Sequence, residues 1–423
     1  MEDKKWDLAA LASIPLIMTL GNSMLIPILP QISQQLQVSA LQVSMLITVY
    51  AVVAILLIPI AGYLSDRFGR KNVIIPSLII AAAGGALSGI GAWMTGGLTA
   101  YWIILGGRFL QGIGAAGAFP IVLPLVGDMF KEEDDVSKSL GIIETSNTFG
   151  KVLSPILGAA LASVLWYLPF LSIPVMCILS LLLVLFFVKT PKKKNQDNLS
   201  IKQFLSDTKS ILREKGRWLY AIFAVGGISM FILFGVLFYL SETLESEYGL
   251  HGVVKGLVLA IPLALLCLAS YAAGKIIGKN KKRMKWTGFA GMALSTVCLV
   301  ITGFSSQIYF VVAFFSLCGA GIGSALPCMD ALITEGIEQK QRGTITSLYS
   351  SMRFIGVSLG PPAVSLLMKT NHWVLFGVMA VVGAVGGLLT LFAVKPEGNK
   401  NDKPTDHKTK PEASILMKSA KVR

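Results

Sequence analysis

An all-α integral membrane fold, with twelve transmembrane helices in two six-helix pseudo-repeats, is what this sequence predicts. Three observations carry the prediction: apolar windows long enough to cross a bilayer, basic residues gathered between them, and a weak internal repeat. Hydrophobic residues make up 54% and charged residues 14% of the 423, more apolar surface than a single soluble core explains. A hydrocarbon layer about 30 Å thick is crossed by roughly 20 helical residues.

The windows fall near 8–30, 41–64, 72–94, 101–127, 138–163 and 166–188 in the first half, and near 218–241, 252–277, 286–305, 308–333, 343–368 and 373–394 in the second. The first window is too long for a cleaved leader, contains Pro15, Asn22 and Pro27, and lacks a small-x-small site, so it is expected to remain as span one. Spans two and three are joined by GYLSDRFGRK at 62–71, which packs Asp66, Arg67, Arg70 and Lys71 into a tight hairpin. Gly62 and Gly69 let the chain approach and turn there.

Span four carries Arg108 and Gln111 and ends at Asp128. Its GIGAAG run matches a dinucleotide fingerprint only formally, because it follows no strand. In span five Gly150, Ser154 and Gly158 recur every four residues, so a neighbouring helix can pack closely and Pro155 can bend the span.

After span six, 189–217 is a basic linker. Within it Ser200 and Gln203 fit a capping box, and Ile201, Phe204, Leu205, Thr208, Ile211 and Leu212 recur at helical spacing. That pattern predicts a short amphipathic helix on the inner membrane surface, with a disordered basic linker as the alternative. The tail from 396 is polar and lysine-rich, a composition that favours disorder. The organisation expected is a six-helix bundle over 1–188, a cytoplasmic linker over 189–217, a second bundle over 218–395 and a basic cytoplasmic tail over 396–423.

Charge placement tests the map independently of hydropathy. With the N-terminus inside, nearly all of the 37 Lys and Arg lie in inner segments; Arg108, Lys151 and Arg353 fall within spans, and only Lys255 and Lys369 lie near the outer face. The net charge of +14 is thus mostly topology, not a nucleic-acid footprint. All 7 tryptophans stand near span ends, where an amphipathic indole is favoured. The 5 cysteines lie inside spans without paired spacing, which indicates neither a disulfide nor a metal site, and the 3 histidines read as solvated.

The halves repeat one another. Gly112-Ile-Gly114 aligns with Gly321-Ile-Gly323 at an offset of about 209, Gly150 to Pro155 aligns with Gly356 to Pro361, and the 62–71 loop aligns with a stretch in which Gly278 replaces Asp66. Six plus six spans in parallel repeat suit a rocking carrier with its site between the halves.

These residues together resemble the major facilitator superfamily, over essentially the whole membrane region. The 62–71 loop matches that superfamily's loop signature at each defining position. Arg108, Gln111, Gly112 and Gly114 resemble the span-four signature of proton-driven members. Span five is similar to the glycine-rich signature of drug:proton antiporters, with Ser154 and Ala159 in place of two glycines. The resemblance implies that Asp66, Arg70 and Asp128 latch an inner gate, that span five forms part of the interface between halves, and that the chain is a monomer.

Ionisable groups within spans are the best candidates for function, since hydrocarbon tolerates them only where they face a cavity. Arg108, Glu144, Lys151 and Arg353 qualify. The family's exporters often carry an acid in span one, where this chain has Asn22. Glu144 is therefore the expected proton carrier, losing its proton as Arg108 or Lys151 approaches; a structural charge network is the alternative. Asn22, Met24, Gln111, Asn147, Phe231 and Phe234 are the candidate cavity residues. Apolar residues suit lipophilic cations and amphipathic drugs, whereas Lys151 and Arg353 suit an anion, and the sequence leaves both open.

The function expected is proton-coupled efflux of small hydrophobic or amphipathic compounds by alternating access at the plasma membrane, with both termini cytoplasmic. A carrier of an endogenous anion, sugar or lipid precursor is the alternative within transport, and a membrane receptor the alternative outside it. No nucleophile–base spacing points to an enzyme. No cofactor or metal is expected, and the partners are the small-molecule substrate, the proton and membrane lipid.

Overall fold

A computed structural model describes residues 4–130, 133–189, 201–278, 280–337 and 339–394. The segment 190–200, with Ser200 of the proposed capping box, and the tail from 395 lie outside the described residues. The described chain is helical throughout. Span one is α1 (Lys5–Ser23), a 3-10 turn (Ile26–Ile28) and α2 (Leu29–Leu36). The remaining spans are α3 (Ala40–Phe68), α4 (Arg70–Met94), α5 (Gly97–Met129), α6 (Glu133–Val164), α7 (Leu168–Phe187), α8 (Ile201–Ser246), α9 (Gly252–Ile277), α10 (Lys281–Thr302), α11 (Ile308–Gly336), α12 (Gln339–Leu367) and α13 (His372–Phe392).

Local chemistry sets several of the boundaries. Ser39 and Gln42 form a reciprocal capping box that starts α3, the Gln42 amide donating to the Ser39 hydroxyl at 3.2 Å. Gly69, at φ 97, breaks α3 from α4 in a single residue. Gly216, at φ 43 and ψ −122, divides α8 into a leading segment and the span that follows.

Among the described residues ten helical segments are long and apolar enough to cross a membrane; α6 and α12 are not among them. Both carry charged and hydroxyl side chains in mid-helix, and both stand at the junction between the two groups of helices. Spans shielded from lipid on that side can hold polar groups that a lipid-facing helix cannot. On the opposite surfaces Leu56, Ile60, Val175, Phe186, Leu268 and Leu388 are exposed, as lipid-facing positions require.

Small residues bring the helices of each group together. A Cβ on Gly107 of α5 would stand 2.1 Å from the Ser88 hydroxyl and 2.5 Å from the Gly84 carbonyl of α4, so only hydrogen fits. Ser88 donates to the Gly84 and Ile104 carbonyls at 3.0 and 3.3 Å. The second half builds the same joint between α10 and α11: Ser295 donates to the Gly291 and Cys318 carbonyls at 3.0 and 3.1 Å, and a Cβ on Gly321 would meet Ser295 at 2.4 Å. Gly321 is therefore the counterpart of Gly107, not of Gly112 as the offset of about 209 suggests. Gly112 instead abuts the Tyr50 carbonyl of α3. The correction has a plain cause: glycine runs align by composition, whereas the fold aligns them by what they touch.

The two groups meet along α3 with α12 and α6 with α9. Thr48 donates to the Ser358 carbonyl at 2.7 Å, and a Cβ on Gly256 of α9 would stand 2.5 Å from the Pro155 carbonyl of α6. Ser241 of α8 donates to the Ile26 carbonyl of the 3-10 turn at 2.9 Å. His372, expected to be solvated, packs against Phe376 with centroids 4.7 Å apart and lies 3.0 Å from the Thr302 carbonyl. As the first residue of α13 it links that helix to the end of α10.

Candidate functional site

Three cations and two carboxylates are carried within the helices: Arg108 inside the first group, and Lys151 and Arg353 with Glu144 and Asp330 where α6 of one group and α12 of the other come together. Arg108 of α5 is fully buried. Its Nε donates to the Leu46 carbonyl at 2.9 Å, one terminal nitrogen donates to Asn22 Oδ1 at 2.5 Å, and the other donates to Gln111 Oε1. The guanidinium lies 4.4 Å from the centroid of Tyr50, whose ring face attracts it. Among the described residues no carboxylate lies within ion-pair distance of Arg108. Its charge is met by neutral oxygens from α1, α3 and α5, which it ties together.

The second cluster spans both halves. Thr19 donates to Asn147 Oδ1 at 2.5 Å, and Asn147 Nδ2 donates to Glu144 Oε1 at 3.0 Å. Lys151, two helical turns beyond Glu144 on α6, is buried and makes no hydrogen bond or ion pair among the described residues. Arg353 of α12 lies 3.8 Å from Asp330 of α11 and 5.7 Å from the Tyr349 ring. Glu144, Asp330 and Arg353 all lie within electrostatic reach of Lys151. Arg108 is not brought to Glu144; the two belong to separate networks.

A cavity with about 630 Å³ of empty space opens between these groups. Asn22, Asn147, Lys151, Phe234 and Arg353 line it, together with Tyr50, Phe119 and Phe354. A neighbouring space of about 310 Å³ shares Lys151, Ser23 and Phe234. Met24, Gln111 and Phe231 do not line either space. Met24 is buried with its sulfur 3.6 Å from the Ser172 hydroxyl, Gln111 is held by Arg108, and the Phe231 carbonyl packs against Gly360. Asp330, Tyr50, Phe119 and Phe354 escape the sequence reading. For Asp330 the signal was present, an acid inside the window 308–333; for the aromatics the missing information was helix rotation.

The span-five motif divides its contacts. Gly150 and Gly158 face α1, where a Cβ would stand 3.1 Å from the Leu16 carbonyl and 2.1 Å from the Met24 carbonyl. Ser154 is buried and donates back to the Lys151 carbonyl at 2.9 Å. The Pro155 carbonyl faces Gly256 in the other half.

At the end of the molecule that carries 62–71, Arg70 is the hub. Its Nη1 lies 3.1 Å from Asp66 and its Nε donates to Asp128 at 2.5 Å, so it ties α3 and α4 to α5. Lys71 donates to the Leu185 and Val188 carbonyls at 3.2 and 2.7 Å, a cation at the C-terminus of α7. Arg67 reaches the Tyr63 hydroxyl at 3.4 Å. A Cβ on Gly62 would stand 3.9 Å from the Ser347 hydroxyl of α12, across the junction.

Comparison with known proteins points one way. The family model described as Major Facilitator Superfamily matches residues 11–361 and 285–422. The bacillibactin exporter of Bacillus subtilis (strain 168) is 52% identical over 398 residues, covering 94% of this chain and 98% of that one. The class C tetracycline resistance protein of Escherichia coli is 24% identical over 391 residues, covering 89% and 93%. Among solved structures, the human organic anion transporter MFSD10 (TETRAN) superposes with a TM-score of 0.71 at 15% identity, covering 92% of this chain and 99% of that one, a likeness of fold.

Proposed function

Because this chain is an exporter belonging to the Major Facilitator Superfamily, we propose a cycle in which a proton gradient drives small hydrophobic or amphipathic compounds outward by alternating access. The protein is a multi-pass membrane transporter, not an enzyme. The observation that carries the reading is the cavity at the junction of the halves, walled by Lys151 of α6 and Arg353 of α12 and flanked by Glu144. A site held by both halves changes sides when they rock.

Within that cycle Glu144 carries the proton, with Asp330 as the second carboxylate of the relay and Lys151 and Arg353 as the cations they answer to. Arg108 acts through Asn22, Gln111 and Tyr50, holding α1, α3 and α5 in register around the cavity. The Asp66–Arg70–Asp128 cluster latches the cytoplasmic gate, with Gly62 and Gly69 shaping the loop, Arg67 bracing the end of α3 through Tyr63 and Lys71 docking the loop on α7. Gly150, Ser154, Pro155 and Gly158 keep α6 close to α1 on one side and to α9 on the other. The bundles 1–188 and 218–395 move as the two halves, joined by the linker 189–217. The carrier works as a monomer in the plasma membrane with cytoplasmic termini and needs no cofactor beyond the gradient.

The full-length chain of the bacillibactin exporter being half-identical to this one makes bacillibactin the first compound to assay. Purified protein in liposomes with an imposed pH gradient should move it uphill. Glu144→Gln should abolish that uphill movement and leave counterflow exchange intact. Uphill transport at the wild-type rate in Glu144→Gln removes Glu144 from the proton pathway.

A further inference from the structure

We propose that the compound carried is an organic anion with an aromatic or otherwise apolar body, and that Lys151 is the residue that binds its charge. The inference rests on the reading of the central cavity as the transport site, and it goes further by choosing a sign of charge.

The wall of the cavity has a one-sided electrostatic character. Among the described residues that line it, Lys151 and Arg353 are the charged ones, and no carboxylate is among them. Glu144 and Asp330 stand behind the wall, each already engaged: Glu144 accepts from Asn147 at 3.0 Å, and Asp330 lies 3.8 Å from Arg353. Lys151 is only 8% exposed, yet it has neither hydrogen bond nor ion pair among the described residues. An ammonium removed from bulk water and left without a partner is costly, and a protein tolerates it where something arrives to meet it.

The placement of charge in the region points the same way. Around Lys151, Arg353 brings a second positive charge, and Glu144 and Asp330 bring two negative ones. Arg108 is met by neutral oxygens and a ring face. The two carboxylates that match Lys151 and Arg353 lie outside the lining, so the charge presented by the wall itself is positive, and Lys151 is the lining cation without an ion pair among the described residues. An anionic group placed there would meet that cation; a cation of the same shape would face two positive groups in a medium that screens them poorly.

The rest of the wall defines the body of that anion. Tyr50, Phe119, Phe234 and Phe354 supply ring faces and edges, and Met18 and Met230 supply adaptable thioethers. Thr19, Asn22 and Asn147 add neutral hydrogen-bonding groups on one side. An aryl carboxylate or other aryl anion of modest size matches both features. Its exit from a cell would run with an inside-negative potential, so the potential and the proton gradient would act in one direction.

The test uses two xanthene dyes of similar body and opposite charge, fluorescein and rhodamine 6G, with the full-length protein. Fluorescence anisotropy on the detergent-purified protein should show fluorescein bound in preference to rhodamine 6G. Lys151→Gln should weaken fluorescein binding by about 10- to 100-fold, the loss expected for one charge-assisted contact. Lys151→Arg should restore most of it, and Lys151→Glu should reverse the preference, with size-exclusion profiles confirming that each variant is folded. Fluorescein binding at wild-type strength in Lys151→Gln overturns the proposal. Transport of rhodamine 6G but not fluorescein by proteoliposomes overturns it too, while leaving the exporter reading in place. Lys151-dependent binding of fluorescein with no gradient-driven flux of either dye or of bacillibactin supports the anion site and counts against the exporter reading.

Discussion

Glu245 and Lys255 form an ion pair, 2.7 Å between Oε2 and Nζ, with side chains only 5% and 2% exposed. Each sits at the helix end that disfavours it: Glu245 in the last turn of α8, beside the partial negative charge of the C-terminus, and Lys255 in the first turn of α9, beside the positive N-terminus. Their attraction is mutual and not borrowed from the helices. The pair locks the corner from which Ser241 reaches the Ile26 carbonyl of the other half. One turn earlier Glu242 keeps a buried Oε2 without a partner, so the corner is already short of positive charge.

Lys255→Met should therefore be strongly destabilising, by about 3–5 kcal/mol, because it leaves the buried Glu245 with only the exposed His251 ring, 3.9 Å away, to answer its charge. Adding Glu245→Gln should recover most of that loss, since removing both charges costs far less than removing one. Thermal unfolding of the two single variants and the double variant in detergent checks it. Additive losses in the double variant would show that the two side chains do not depend on each other.

The matched joints at Gly107 and Gly321 give a packing prediction. Gly107→Ala drives a methyl into Ser88, whose hydroxyl is held by two carbonyls and has no free direction in which to yield. The helices must separate, at about 1–3 kcal/mol. Gly321→Ala should cost a similar amount against Ser295. Gly106, next to Gly107 on α5, has nothing within 4 Å of an added Cβ, so Gly106→Ala should be neutral or gain up to about 1 kcal/mol of helix propensity. Melting temperatures of the three alanine variants should separate Gly106 from the other two.

Asn22→Asp should be tolerated and should raise thermal stability. Asn22 Oδ1 already accepts from Arg108 at 2.5 Å, so a carboxylate there would turn a charge–dipole contact into a charge–charge one without moving an atom. Hydrogen bonds between charged groups exceed neutral ones by about 1–2 kcal/mol. Arg108→Gln should have the opposite effect, freeing the Leu46 carbonyl and Asn22 in a buried site. A lower melting temperature for Asn22→Asp would mean that Arg108 needs a neutral partner.

What the sequence made legible follows from what each signal measures. Windowed hydropathy places each of the long helices, and the rule against charge in hydrocarbon singles out Arg108, Glu144, Lys151 and Arg353. The same rule covers Asp330, which lies inside the window 308–333 and faces Arg353 at 3.8 Å. The polarity of α6 and α12 is itself informative, since these two less apolar helices supply both charged residues of the cavity wall, Lys151 and Arg353. The cavity aromatics were not legible. A span apolar on all faces has no contrast to fix its rotation, so Phe231 and Phe234 read alike although only Phe234 reaches the cavity. The partners of Arg108 include a main-chain carbonyl, which no side-chain pattern records.

The loop at 62–71 yields a prediction that separates transport from stability. Arg70 joins Asp66 and Asp128 at 3.1 and 2.5 Å, but the two carboxylates are about half exposed, at 48% and 49%. Water screens such pairs, and their worth to the fold is about 0.2–1 kcal/mol. Asp66→Asn should accordingly leave the melting temperature nearly unchanged while crippling flux, because a gate needs a small free-energy difference between two states and not a large one for the fold. Arg70→Lys should behave alike, since an ammonium cannot present two directed donors to two carboxylates. Gly278, the counterpart position in the second half, has φ 49 and no carboxylate to lose. Gly278→Ala should show the reverse profile, a backbone strain of about 1 kcal/mol with flux retained. Flux per purified transporter, measured beside melting temperature for the three variants, checks the asymmetry, and equal losses of flux from Asp66→Asn and Gly278→Ala would mean that the two loops share the gate.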